Sequence, residues 1–152
     1  MKPPLIVGLG NEGFQDEAVG LFLLQQVCQY FPGANLARAA LISSLLEFIP
    51  IYNGEEAVLF ISGAYMHQQP GEYCTLPLPH VHACDSIIGI DPGDILTLYH
   101  EIPMLKQAQA NVLAIQIRWN EWGDELSPEV SQTAKRLLKN FWKILEDLSF
   151  PV

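Results

Sequence analysis

The chain has 152 residues, a size that suits one domain burying about two-thirds of the surface its unfolded form exposes. Its 49% apolar and 16% charged residues exclude an extended disordered chain, and its apolar runs, among them Gly20–Leu24 and Ala57–Ile61, are too short to cross a bilayer. The net charge of −9, with no basic stripe interleaved with aromatics, excludes a nucleic-acid surface and suits a basic peptide better than an anion.

Four of the bases, Lys135, Arg136, Lys139 and Lys143, fall on one C-terminal helix, leaving Lys2, Arg38, Lys106 and Arg118 for everything before it. Cys28, Cys74 and Cys84 form no C-x-x-C and read as reduced thiols of a cytoplasmic protein. The start, MKPPLIVG, lacks the long apolar core of a signal peptide and leads straight into a strand.

In chain order, Leu5–Leu9 reads as a short buried strand. Apolar residues then recur at helical spacing through Val19, Phe22, Leu23, Val27 and Tyr30, predicting a helix from Asp16 to Tyr30. Asp16 is its expected cap, and Phe31-Pro32-Gly33 its stop. Asn35–Ala40 is a second strand, and Ser43 or Ser44 caps a short helix through Leu45, Leu46, Phe48 and Ile49. Ala57–Ile61 is apolar throughout, as a central strand covered on both faces must be.

Gln69-Pro70-Gly71 turns the chain into an edge strand at Glu72–Leu76, and Pro77 to Ala83 reads as irregular. A helix over Pro92–Glu101 follows Asp91, and Asn111–Ile117 is another strand. The last helix has Ser127 as cap, Pro128 at its first position and Glu129 at the positive end of its dipole. Its apolar stripe runs from Val130 to Leu148. Strands alternating with helices give a single domain, 1–152, built as a three-layer α/β/α sandwich on a mainly parallel sheet.

The first loop poses the functional question. Gly8, Gly10 and Gly13 form a G-x-G-x-x-G, the spacing of a dinucleotide-binding turn, yet Glu12, Asp16 and Glu17 crowd the same loop. Carboxylates beside a diphosphate repel it, and the second strand ends without the acid that would hold a ribose. Acids at the C-terminal edge of a parallel sheet suit a cation or a basic peptide instead.

Three stretches, LIVGLGNEGFQDEAVG, VLFISGAYMHQQPGEYCTL and IQIRWNEWGDELSPEV, carry a likeness that spans nearly the whole chain. Together they resemble the hydrogenase maturation endopeptidases: the strand and G-x-G-N turn with an acidic helix start, the third strand with its P-G turn, and the E-L-S-P-x-V start of the last helix. The resemblance implies an α/β/α fold with a twisted, mostly parallel five-stranded sheet containing one antiparallel strand. It implies removal of a C-terminal peptide from the large subunit of a nickel-iron hydrogenase once nickel is in place, so nickel belongs to the partner and no resident cofactor is expected.

The resemblance also implies three metal-directed side chains at the strand ends: an acid after the first turn, an Asp ending the central strand, and a His before a later helix. Carried over, the acid is Glu17, the Asp position holds Ser62, and the His position falls on Ile88. Serine is a weak neutral donor and isoleucine none, so the set is reduced to one ligand. A histidine from elsewhere could complete it: His82 is carried as the metal partner of Glu17, with His67, His80 and Cys84 as alternatives. Asn11, Glu12, Asp16 and Ser62 are the cleft positions expected to meet a partner, and Trp119 and Trp122 are aromatic anchors beside it.

Three functions follow. The first is a protease-like protein with a degenerate metal site that binds a hydrogenase large subunit, a related large-subunit-like protein, or its tail. The second is an active aspartic-type endopeptidase with a relocated ligand, and the third a nucleotide-binding module resting on the glycine spacing alone.

Overall fold

The computed structural model describes residues 4–30 and 39–148. The strands are β1 (Leu5–Leu9), β2 (Ala39–Ile42), β3 (Ala57–Tyr65), β4 (Tyr73–Pro77), β5 (Ser86–Ile87) and β6 (Gln109–Gln116). The α-helices are α1 (Val19–Tyr30), α2 (Pro92–Glu101), α3 (Pro128–Lys139) and α4 (Phe141–Asp147), with 3-10 helices at Gln15–Ala18, Leu45–Phe48, Leu78–Ala83 and Pro103–Gln107.

The main sheet runs β2-β1-β3-β6-β4, with every neighbour parallel except β4, which is antiparallel to β6. This is the expected five-strand path. The two-residue β5 adds a sixth strand, antiparallel to the end of β3 through Ala64 and Tyr65.

The strands are apolar throughout because both faces of the sheet are covered. Val7, Val58, Phe60 and Val112 face α2 and the 3-10 helix Leu45–Phe48 on one side. Ile6, Leu59, Ile61 and Leu113 face α1, α3 and α4 on the other. That alternation makes the three layers.

Several boundaries differ from the sequence expectation. β3 continues past Ile61 through Ser62, Gly63 and Ala64 to Tyr65, because β6 offers a ladder that far, with Ala64 opposite Gln116. Its last turns look like loop in the sequence because they are small residues. Gly63 must be small: a Cβ there would lie 2.7 Å from Ile117 Cγ2. The predicted second strand falls partly outside the described residues, and its described part runs on to Ile42.

The helix after the glycine loop opens with a 3-10 turn, so α1 proper starts at Val19 rather than Asp16. The last helix is two: Asn140 (φ −109°, ψ 18°) interrupts it, donating its side-chain amide to the Arg136 carbonyl at 3.1 Å. The irregular stretch after β4 is a 3-10 helix. Ser44, one of the two caps considered, closes a full capping box with Glu47. Among the described residues no helix is long and apolar enough to cross a membrane.

Candidate functional site

The glycines of the first loop divide by task. A Cβ on Gly20 would stand 2.1 Å from the Ile61 carbonyl oxygen and 2.4 Å from that of Leu9, and one on Gly8 would stand 2.7 Å from the Gly20 carbonyl oxygen. These residues let α1 lie directly on β1 and β3. Gly13, at φ +83°, makes the turn.

Six backbone amides of this loop are already engaged within the protein. The backbone N–H groups of Gly10, Asn11, Phe14, Gln15, Asp16 and Glu17 donate to Ile42, Glu17, Asn11, Gly123, Trp119 and Phe14 carbonyls respectively. A phosphate would have to compete for them, which counts against the nucleotide reading.

Asp16 is fully buried and does not cap α1. Its carboxylate accepts the backbone N–H of Arg118 (2.9 Å), Trp119 (2.8 Å) and Ser127 (2.7 Å), together with the Ser127 hydroxyl (2.7 Å). Ser127 stands at the N-cap position of α3, yet its side chain donates to Asp16 instead of accepting from a helix amide. Both expected caps are thus replaced by a long-range clamp between the β1–α1 loop and the β6–α3 loop. Gln15, held at φ +53°, reinforces it by donating its amide to Gly123 and accepting the Glu121 amide on its side chain.

Glu17 sits at the mouth of the sheet, half-buried. One carboxylate oxygen accepts from Asn11 Nδ2 at 2.9 Å, the other from the Tyr65 hydroxyl at 3.0 Å. Tyr65 in turn accepts from Asn120 Nδ2 at 2.9 Å. Burial pushes the Tyr65 phenol up, the Asn120 bond pulls it down, and the Glu17 bond and charge push it up, for a net rise.

Ser62 is fully buried, its hydroxyl shared between the carbonyls of Gly63 and Ile88, each at 2.9 Å. Ile88 is buried as well, its amide donating to Gly63 at 3.1 Å. β3 therefore joins the three positions named from the resemblance: Tyr65 reaches Glu17 and Ser62 reaches Ile88.

His82 is exposed on the 3-10 helix Leu78–Ala83, its Nδ1 3.1 Å from the Pro79 carbonyl, so its ring engages Pro79 rather than Glu17. His80 lies edge-on to it, and His67 pairs with Asp85. Cys84 is partly buried. Among the described residues no three His, Cys, Asp or Glu side chains group so as to hold a metal ion.

A cleft of about 610 Å³ opens where β1 and β2 end. Asn11 and Glu12 line it, with Glu47 and Asp124 as further carboxylates and Phe22 and Leu41 as exposed apolar wall. Asp16 and Ser62 are sealed inside the protein and cannot meet a partner as the chain stands. Trp119 is half-buried, whereas Trp122 is 81% exposed and stacks on Phe14 with ring centroids 4.6 Å apart.

By sequence, no family model and no curated protein matches the chain. By structure it superposes on the NiFe hydrogenase maturation protease HybD from Thermococcus kodakarensis with a TM-score of 0.75, at 20% identity, over 93% of this chain and 98% of that one. The hydrogenase maturating endopeptidase HybD from E. coli gives 0.72 at 15% identity, over 95% and 93%. The hydrogenase 2 maturation peptidase from Thaumarchaeota archaeon SCGC_AB-539-E09 gives 0.65 at 16% identity, over 99% and 100%. The chain has the fold of the hydrogenase maturation proteases. In this maturation-protease fold Tyr65 bonds Glu17 and Asn120 bonds Tyr65, two neighbours of the candidate site that the sequence does not mark. Both look like loop positions there, and only the extension of β3 brings Tyr65 to Glu17.

Proposed function

We propose that this chain is a maturation-protease-like protein whose metal-directed set has decayed. It engages a hydrogenase large subunit, or a related large-subunit-like protein, with weak or no peptide cleavage. The observation that carries the reading is the pair of side chains standing where the resemblance expects an Asp and a His. Ser62 is a buried hydroxyl donating to two carbonyls, and Ile88 is a hydrocarbon.

A carboxylate–carboxylate–imidazole set could sense nickel carried by a substrate. One carboxylate already accepting from Asn11 and Tyr65 does not fit that task. What survives is an acidic cleft with apolar walls, suited to a basic tail that carries apolar side chains. The three free cysteines suit a reducing compartment, so the proposal assigns the protein to the cytoplasm.

Two measurements test this. Nickel and zinc titrated into the pure protein should show no micromolar binding that depends on Glu17; binding abolished by Glu17→Ala would overturn the decayed site. Mixed with a nickel-loaded large-subunit precursor, the protein should form a complex on size exclusion with the precursor intact by mass. Release of the C-terminal peptide, or no complex, would defeat the reading.

A further inference from the structure

Three sulfur-bearing side chains line one small pocket beyond the end of β3, apart from the cleft beside Glu17. Met66 follows β3, Cys74 lies within β4, and Cys84 follows the 3-10 helix Leu78–Ala83. All three line one pocket of about 260 Å³ and pack, partly buried, on the same apolar core. Cys74 Sγ stands 3.6 Å from Met66 Sδ.

The scaffold holds these sulfurs from several directions. β4 alternates so that Cys74 and Leu76 turn inward, and Cys74 is fixed opposite Ala114 of β6. The amides of Met66 and Gln68 both donate to Gln116 Oε1, at 2.7 and 3.3 Å. The two loops are laced together by the Asp85 amide donating to the Tyr65 carbonyl at 3.0 Å and by the His67–Asp85 pair. The Cys84 amide donates to Val81 at 3.0 Å.

Thiolate and thioether donors select soft monovalent copper over nickel, magnesium or calcium. Two sulfurs bound to one ion at about 2.3 Å stand about 3.8 Å apart at a tetrahedral angle. The Cys74–Met66 separation is already close to that. We propose that Met66, Cys74 and Cys84 form a binding site for Cu(I), with two thiolates and one thioether as ligands. It is independent of the function proposed above.

Loading the site releases one proton from each thiol to solvent, forms three copper–sulfur bonds and leaves the oxidation state of copper unchanged. Burial pushes both thiols up, and for Cys84 the neighbouring Cys74 and Asp85 push the same way. A cation arriving in the pocket favours the thiolate form of both.

The test is a titration of fully reduced protein with Cu(I), without oxygen, against the chromophoric chelator bicinchoninate. Wild type should withhold one equivalent from the chelator, and X-ray absorption should show sulfur alone around the copper. Cys28→Ser, an exposed thiol on α1, should withhold the same amount. Cys74→Ser and Cys84→Ser should lose it. Met66→Leu, which conserves volume and so keeps the fold, should weaken it by roughly tenfold or more. A wild type that yields all its copper, nitrogen or oxygen ligands in the absorption spectrum, loss of binding in Cys28→Ser, or full retention in Met66→Leu would each overturn the site.

Discussion

The carboxylate of Asp16 holds Ser127 twice, by its amide and by its hydroxyl, each at 2.7 Å, across 111 residues of sequence. Because Asp16 is fully buried, none of these bonds is shared with water. The same carboxylate also takes the amides of Arg118 and Trp119, so the loop leaving β6 is shaped around one acid.

Asp16→Asn should therefore be costly, since it turns an amide NH2 toward backbone N–H donors and leaves them unpaired. The expected loss is about 3 kcal/mol, seen as a lower urea midpoint at unchanged slope. Ser127→Ala should cost about 1–2 kcal/mol. The double variant should lose clearly less than the sum of the singles, because the two residues share the interaction. Additive losses would mean that Ser127 acts as an ordinary helix cap.

Tyr65 offers a test by sign. Glu17→Gln removes a negative charge that opposes the phenolate, so Tyr65 should ionise at lower pH than in wild type, while still above its ordinary value of 10.0 because burial remains. Asn120→Ala removes a donor that favours the phenolate, so ionisation should move higher. Ultraviolet titration of tyrosinate reads both shifts. In wild type the contribution of Tyr65 to stability is full below its ordinary value and is lost as pH rises through the raised one.

Glu47 should report at the acid end. Its carboxylate accepts the amides of Ser43 and Ser44 and the Ser43 hydroxyl, which hold it below its ordinary value of 4.5. Stability from the ionised form is present above 4.5 and is lost as pH falls through the lowered value. Glu47→Gln should thus be less stable than wild type at neutral pH by a small, salt-sensitive amount, and the gap should close in acid. Urea midpoints across that range would show it.

The two kinds of glycine should separate cleanly. Gly20→Ala drives a methyl into the carbonyls of Ile61 and Leu9 and should cost about 3 kcal/mol or more, lowering the melting temperature sharply. Gly13→Ala has room, its Cβ no closer than 3.7 Å to Trp122, and pays only for φ +83°, about 1–2 kcal/mol.

The strands β1, β3 and β6 and the start of α3 were legible because burial on both faces and a proline at the first helical position leave local marks. The tail of β3 was not, since Ser62, Gly63 and Ala64 are small for reasons of close approach that only the packed partner reveals. Nor was the break at Asn140, because the apolar stripe runs on through it: Phe141 and Leu145 are both buried. At the site, Glu17 could be singled out from its loop. Its partners Tyr65 and Asn120 could not, since nothing in a sequence announces a hydrogen bond 48 residues long. Asp16 misled for the same reason: a carboxylate before a helix reads as a local cap until a distant loop claims it.

β4 is an outermost strand, and such strands tempt foreign chains to zip onto them. Pro77 ends it opposite Asn111, and an intruder aligned along that margin finds a rung without a donor. The sheet is thereby discouraged from growing into a fibre, a safeguard that holds whatever the cleft receives.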